Sequence, residues 1–299
     1  MKSRYLFLAA LTTTIFQTSF AQVNPAPISV VTAGDSMTRQ TGQCDELTLW
    51  DQCWDSVKTF PSGTVVTRGS LINSATYASY LNPATLYTVT TSDVSGRGGD
   101  TCADFSGAPY YKKYGPIFNY QPITGLLVQV DTRVLNRNGS VVSLLIGAND
   151  IAYRSQVCGL GNVCGKPETK TCIASLIRAI SFGQSGFAGK QLVVMKYPKY
   201  PGSASVPNTN NPWGSSDGYR YIEVANEAIS EAVAEFNNAN PSRKVTLVDA
   251  SSIILQGSLV SLDTKYHPSA DAAWLISRLW AKQVCGPDGA GPFLNCRSK

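Results

Sequence analysis

The stretch Ile28-Ser-Val-Val-Thr-Ala-Gly-Asp-Ser36 decides the fold that this sequence predicts. Its first six residues are mostly apolar or β-branched, and the Gly-Asp pair then interrupts the run, which is typical of a buried strand that ends in a turn. Similar runs recur at Leu86–Thr91, Val141–Ile146, Gln191–Met195 and Lys244–Val248, which brings the number of predicted strands to five.

Between these strands, apolar residues recur at helical spacing. The recurring positions are Leu71, Ala75 and Ala78; Leu126, Val130 and Val134; Ile173, Leu176, Ile177 and Ile180; and Ile222, Ala225, Ile229, Val233 and Phe236. A last helix is expected after Ser269, a candidate N-cap, with Ala272, Leu275, Ile276, Leu279 and Trp280 on its apolar side.

Strands that alternate with helices require crossover connections, and these favour parallel pairing. The predicted fold class is therefore α/β: a three-layer α/β/α sandwich with a mainly parallel five-stranded sheet. In such sheets, functional residues gather in the loops beyond the carboxyl ends of the strands.

The first residues have the features of a secretory signal. Met1-Lys-Ser-Arg4 is charged, a mostly apolar run continues to Phe20, and Ala21 closes a small-residue cleavage site. We therefore expect residues 1–21 to be removed on export to the periplasm or the exterior. Residues 22–299 should form a single domain, since no linker-like stretch divides them.

The charge pattern excludes some classes of partner. The formal net charge is +5, and the basic residues form no dense cluster, so nucleic acid is not expected to bind. No later apolar run reaches the length of a membrane span, so stable membrane insertion is not expected either. We expect a monomer.

Eight cysteines in an exported chain favour disulfides over thiol catalysis. The chain has one histidine and no CxxC pair, so we expect neither a metal nor another cofactor. Cys44/Cys53 and Cys285/Cys296 are close enough in sequence to bridge locally, but eight cysteines allow 105 connectivities and the sequence does not choose among them.

Four short segments follow successive predicted elements. Gly34-Asp-Ser36, Ser95-Gly-Arg-Gly-Gly99 and Gly147-Ala-Asn-Asp150 follow three strands, and the single histidine, His267, precedes the last helix. Taken alone, the Ser36 and Gly96 segments are more typical of an ordinary turn or loop, and Gly147-Ala-Asn-Asp150 is equally typical of a turn. A lone histidine is more often a structural residue than a catalyst. The joint occurrence of the four segments in this order resembles the SGNH (GDSL-type) hydrolase family, whose four conserved blocks contribute a serine, a glycine, an asparagine and a histidine.

The resemblance implies a flavodoxin-like SGNH fold and a carboxylic ester hydrolase in which Ser36 is the nucleophile and His267 the general base. It also implies an oxyanion hole built from the backbone N–H groups of Ser36 and Gly96 and the side-chain amide of Asn149. These roles agree with the chemistry of the residue types. A serine hydroxyl needs an adjacent base, and an imidazole titrates near neutral pH. Three donors aimed at one oxygen stabilise a tetrahedral intermediate.

The third member of the triad departs from the family pattern, which usually places an acid three residues before the histidine. That position is Thr264, and Asp263 lies one residue earlier. A loop can absorb one residue and still bring a carboxylate to the imidazole, so Asp263 is our prediction. Asp249, after the fifth strand, is a weaker alternative, and its interpretation as a strand-ending turn residue is favoured.

A second serine is also a candidate for the nucleophile. Gly214-Ser-Ser216-Asp-Gly218 fits the G-x-S-x-G pattern of the nucleophile elbow, and Asp249 and His267 would follow it in the order of α/β-hydrolases. That motif needs a strand directly before it, whereas the residues preceding it are rich in Asn and Pro. We interpret it as a loop.

The sequence defines the natural substrate less well than it defines the type of reaction. Val94-Ser-Gly-Arg97 is similar to the oxyanion-loop block of rhamnogalacturonan acetylesterases, which favours removal of acetyl groups from a carbohydrate. The expected substrate is a small-molecule or a polysaccharide ester. A lipase or an acyltransferase of the same fold is an alternative. Another is an inactive secreted carbohydrate-binding protein or a disulfide-stabilised adhesion module.

Overall fold

A computed structural model gives the structure of this protein and describes residues 28–38, 57–59, 65–67, 89–94, 96–97, 99–106, 124–158, 163–200, 218–259, 268 and 270–285. The predicted signal segment and the two predicted catalytic residues Asp263 and His267 lie outside these ranges. The same is true of Ser216 and of the helix expected around residues 71–78.

The central element is a sheet of five strands in which every pairing is parallel. Its strands are β1 (Ile28–Gly34), β4 (Val89–Val94), β5 (Val141–Leu145), β6 (Gln191–Lys196) and β7 (Thr246–Asp249), and they lie side by side in the order β4-β1-β5-β6-β7. Counted along the chain, this is the 2-1-3-4-5 order of flavodoxin-like folds. The predicted fold class and all five predicted strands are confirmed.

Four α-helices lie in the described part of the chain: α1 (Ala148–Cys158), α2 (Lys166–Phe182), α3 (Gly218–Ala239) and α4 (Ala270–Cys285). All five residues of β5 are buried, which requires cover on both faces of the sheet. Trp280 of α4 packs against this strand and donates a hydrogen bond from its indole Nε1 to Ser143 Oγ, 3.1 Å away. The core is therefore layered as α/β/α.

Within the described residues, four main differences separate the local structure from the sequence predictions. β4 continues to Val94, three residues beyond its predicted end, and the antiparallel pair β2 (Val57–Thr59) and β3 (Val65–Thr67) was not predicted. The predicted helix through Val130 and Val134 is a run of turns followed by a short π-helix at Asp131–Leu135.

The fourth difference is helix α1, which the sequence did not predict. It begins at the Gly147–Asp150 segment that looked like an ordinary turn. Its sequence, ANDIAYRSQVC, has few apolar residues at helical spacing, so periodicity gave no signal. Its first turn is instead tied to the rest of the protein by Asp150, whose carboxylate is fully buried.

Two disulfides lie in the described residues, Cys102–Cys172 and Cys158–Cys164. They confirm the prediction that cysteines pair, and neither pair was singled out from the sequence. Cys44/Cys53 and Cys285/Cys296 involve side chains outside the described part and stay a prediction. Among the described helices, none combines the length and the apolar character that crossing a bilayer would need.

Candidate active site

Three of the predicted site residues follow three neighbouring strands. Ser36 comes after β1, Gly96 after β4 and Asn149 after β5, and β1 lies between the other two strands. The chain leaves β1 for β4 on one side and later enters β5 on the other, so the direction of winding reverses here. In open α/β sheets, the crevice at such a switch point is where ligands bind.

The turn that carries Ser36 is fixed by backbone geometry. Gly34 has φ +148°, and a Cβ atom there would lie 2.0 Å from the carbonyl oxygen of Leu145, so no other residue fits. The next amide, Asp35 N–H, donates to that same carbonyl over 3.3 Å. Thr38 closes the turn by donating its amide (3.1 Å) and its hydroxyl (2.9 Å) to the Asp35 carbonyl. Ser36 is left half-buried at the sheet edge.

The loop after β4 is joined directly to its neighbours. The backbone N–H of Arg97 donates to the carbonyl of Gly34 over 3.0 Å, which ties the loop to the end of β1. Asn149 donates from its side-chain Nδ2 to the carbonyl of Asp100 over 2.8 Å, which ties the loop to the start of α1. Hydrogen bonds thus connect the chain segments that hold Ser36, Gly96 and Asn149.

The contact between Asn149 and Asp100 also bears on the predicted role of the amide. A primary amide carries two N–H bonds, and this contact uses one of them. Asn149 is 8% exposed, so its side chain is held in place by its surroundings. The second N–H of the amide is therefore a donor with a fixed orientation, which is what an oxyanion hole requires.

The far part of the same loop is anchored by buried acids. The carboxylate of Asp150 accepts hydrogen bonds from the backbone N–H groups of Cys102 (2.8 Å) and Ala103 (2.9 Å). Asp100 forms a buried ion pair with Arg133 of the π-helix. The Cys102–Cys172 disulfide adds a covalent link from the loop to α2. The hydrogen bonds, the ion pair and the disulfide together hold this side of the site rigid. A rigid site of this kind can present its groups in a preorganised geometry.

Buried carboxyls lie at and around the turn that carries Ser36, and burial shifts their pKa values. Desolvation raises the pKa of Asp35 to about 7, although hydrogen bonds from the Tyr197 hydroxyl and the Met37 amide oppose the rise. Desolvation likewise raises the pKa of Asp150 to about 6 against its two backbone hydrogen bonds. The negative charges of Asp100 and Asp150 add to the rise in the pKa of Asp35.

Asp35→Asn should change how stability depends on pH. The pKa of Asp35 is higher in the folded protein, about 7, than the ordinary 3.8, so the folded state holds the extra proton between these values. The free energy of unfolding should therefore fall as pH rises from 4 to 8, by up to about 4 kcal/mol from this group. Asp35→Asn should flatten that slope, measured by urea unfolding at several pH values.

Asp104→Asn is the matched control, because Asp104 is an exposed carboxyl in the neighbouring loop. That variant should keep the pH dependence of the parent protein. Equal slopes in the parent protein and Asp35→Asn would show that the buried carboxyl does not bind a proton in this pH range.

The alternative acid, Asp249, has a structural role. Its carboxylate accepts hydrogen bonds from Lys196 Nζ (2.7 Å) and from the Ser251 amide (2.9 Å), which starts a short 3-10 helix. Burial raises the pKa of Asp249, but the hydrogen bonds from Lys196 and Ser251 outweigh it and hold the pKa below its ordinary value. These contacts agree with the interpretation of Asp249 as a strand-ending residue.

Several residues of this region were not predicted from the sequence. Asp35 and Asp150 stand next to predicted site residues, and their adjacency was the only signal available. The sequence gave no such signal for Tyr197, Asp100 or Arg133, because their partners are distant in the chain. Within the described ranges, no group of His, Cys, Asp and Glu side chains is arranged to hold a metal ion.

Comparison with protein-family models and with curated proteins finds no match for this sequence. Solved structures do match. Est24, a carbohydrate acetylesterase from Sinorhizobium meliloti, aligns with TM-score 0.47 and 15% identity over 86% of this chain and 98% of its own. A catalytic mutant of Axe2, an acetylxylan esterase from Geobacillus stearothermophilus, aligns with TM-score 0.48 and 16% identity over 91% and 97%. A third solved chain aligns with TM-score 0.51 and 13% identity over 87% and 100%.

At these identities the likeness is one of fold. The parallel sheet and its 2-1-3-4-5 order define a flavodoxin-like α/β fold, which the chain of 13% identity shares with TM-score 0.51. The α/β fold that the resemblance implies is confirmed.

Proposed function

We propose that this protein is a serine esterase that cleaves carboxylic esters through an acyl-enzyme intermediate. The observation that carries the proposal is the placement of Ser36, Gly96 and Asn149 after three adjacent parallel strands, with hydrogen bonds joining the segments they occupy. A nucleophile and two oxyanion donors at a topological switch point are the parts that acyl transfer needs.

In the proposed reaction, the hydroxyl oxygen of Ser36 attacks the ester carbonyl while His267 takes its proton. The negative charge that develops on the carbonyl oxygen is stabilised by the N–H groups of Ser36 and Gly96 and by the Asn149 amide. Collapse breaks the ester C–O bond, and the His267 imidazolium protonates the leaving alcohol. Water, deprotonated by the same imidazole, then releases the acid and restores Ser36.

Asp263 is our proposed third member of the triad. A carboxylate at the second imidazole nitrogen would hold the productive tautomer and stabilise the imidazolium. The contacts of Asp249 support this choice indirectly, because its carboxylate already accepts hydrogen bonds from Lys196 and Ser251.

We also propose that the protein is exported, with residues 1–21 as the signal and residues 22–299 as one monomeric catalytic domain. The two disulfides of the described part support export, because disulfides persist in oxidising compartments. Cys102–Cys172 joins the loop after β4 to α2, so oxidative folding would also help to order the active site.

For the substrate, we propose an acetyl ester on a carbohydrate. The support is the similarity of Val94-Ser-Gly-Arg97 to the corresponding block of rhamnogalacturonan acetylesterases. In the structure Val94 ends β4, and Arg97 is exposed beside Gly96. A sugar bound over the oxyanion donors would meet this loop.

A panel of esters tests the proposed function. Initial rates are measured on p-nitrophenyl esters from acetyl to octanoyl and on acetylated glycans, with acetate release as the second readout. We expect acetyl to exceed octanoyl by about tenfold or more, since each misfitted group costs roughly 1–3 kcal/mol in a specific pocket. A preference for octanoyl would contradict the carbohydrate substrate and favour a lipase. Absence of hydrolysis across the panel would favour a binding protein.

A further inference from the structure

Tyr197 is the first residue after β6 and is fully buried. Its hydroxyl donates a hydrogen bond to Asp35 Oδ2 over 2.6 Å and accepts one from the backbone N–H of Ala148 over 3.3 Å. Asp35 is the residue before Ser36, and Ala148 is the residue before Asn149. One phenol oxygen thus connects the turn that carries the proposed nucleophile to the helix start that carries the proposed amide donor.

The backbone of Tyr197 is fixed in turn by α3. Asn226, 4% exposed, accepts a hydrogen bond from the Tyr197 N–H at its Oδ1 (2.7 Å) and donates from Nδ2 to the Tyr197 carbonyl (2.9 Å). Such a two-sided clamp leaves a residue little freedom to shift. The position of the phenol is therefore set by a long helix that packs on the core.

We propose that Tyr197 is a positioning residue of the active site, whose hydroxyl holds the Ser36 turn and the start of α1 at a fixed separation. The inference rests on the proposed function, because it assigns a purpose to the spacing of Ser36 and Asn149. It needs no contact between Tyr197 and a substrate.

The chemistry of the contact suits this role. Desolvation raises the pKa of Tyr197 well above its ordinary value, so the phenol keeps its proton and remains a donor to Asp35 at neutral pH. Both partners are buried, so water does not readily replace a lost contact. The ring itself is rigid and packed, and a hydrogen bond at its end sets a distance more sharply than a flexible side chain would.

Tyr197→Phe removes the hydroxyl and keeps the ring. Without it, the Asp35 carboxylate loses a donor and the Ala148 amide loses an acceptor, so the two segments can shift apart. Because a displacement of about 1 Å between reacting groups can cost up to about a hundredfold in rate, we expect kcat to fall by about ten- to a hundredfold. KM should change by less than about threefold, since ground-state binding is not what the contact controls.

The double variant Tyr197→Phe/Asp35→Asn separates a positioning role from general destabilisation. Both single variants act on the same hydrogen bond, so their effects on kcat should not add, and the double variant should resemble the worse single variant. Two unrelated stability defects would instead add in unfolding free energy and leave kcat unchanged well below the melting temperature.

The same helix provides a matched control. Asn237 of α3 clamps Val245 as Asn226 clamps Tyr197, with Val245 N–H donating to Oδ1 (2.7 Å) and Nδ2 donating to the Val245 carbonyl (2.9 Å). Val245 precedes β7, at the amino end of the strands and away from the proposed site. Asn226→Ala should lower kcat by about tenfold, whereas Asn237→Ala should leave kcat within about twofold although its melting temperature falls.

The outcomes distinguish this inference from the proposed function. Loss of activity in Ser36→Ala together with an unchanged kcat in Tyr197→Phe would overturn the positioning role alone. Equal kcat losses in Asn226→Ala and Asn237→Ala would also overturn it. Full activity in Ser36→Ala would overturn the proposed function, and the positioning role with it.

Discussion

Ser36→Ala is expected to lower kcat for ester hydrolysis by about 10⁴-fold or more, because the attacking oxygen is lost and only binding and the oxyanion donors remain. Because Ser36 is half-buried and alanine is smaller than serine, the variant should fold and its melting temperature should change little. The measurement is the steady-state rate on the best ester of the panel, with circular dichroism to establish that the variant is folded.

Two further measurements make the Ser36 result specific. Ser216→Ala, in the G-x-S-x-G segment, should retain the parental rate, because the proposed nucleophile lies elsewhere. A fluorophosphonate should label the parent protein, and peptide mapping should place the adduct on Ser36. An adduct on Ser216, or full activity without Ser36, would remove Ser36 from the mechanism.

His267→Gln should have a comparable effect on kcat, about 10⁴-fold or more, since the chain has no other imidazole that could replace it. Glutamine keeps hydrogen-bonding groups but does not take up a proton near neutral pH. In the parent protein, kcat/KM should fall as pH drops through about 6.5, where an ordinary histidine becomes charged and ceases to be a base. The small residual rate of the variant should lack this step.

A pair of acid variants completes the test of the base. Asp263→Asn should reduce kcat while leaving the melting temperature nearly unchanged, because the proposed role of Asp263 is to orient an imidazole. Asp249→Asn should mainly lower the melting temperature, because it weakens the contacts of Asp249 with Lys196 and Ser251. The reverse pattern would assign the third position of the triad to Asp249.

The contacts of the buried acids could not be predicted from the sequence. The Gly-Asp-Ser turn was recognisable because its residues are contiguous, and the strand before it has a clear apolar pattern. The same turn depends on Tyr197, which lies 162 positions from Asp35 along the chain. Nothing in the local sequence of Tyr197 marks this contact, since a buried tyrosine after a strand is ordinarily a packing residue.

Helix α1 illustrates the same limit in secondary structure. Its sequence lacks the apolar periodicity that predicted α2 and α3, so the Gly147–Asp150 segment resembled a turn. The helix begins there because the carboxylate of Asp150 accepts hydrogen bonds from two amides of a loop 47 and 48 positions away. Contacts of this kind stabilise a helix start that local propensity alone does not specify.

The sequence by itself determined the five strands and the parallel α/β architecture, because strand burial is a local property of contiguous residues. Its resemblance to the SGNH hydrolases made Ser36, Gly96 and Asn149 candidates. Only the tertiary structure decided that β1 lies between β4 and β5, that the loop after β4 is anchored by Asp150 and Arg133, and that Tyr197 bridges two segments. These features depend on contacts between residues that are far apart in the sequence. Such contacts produce no periodic pattern in the local sequence.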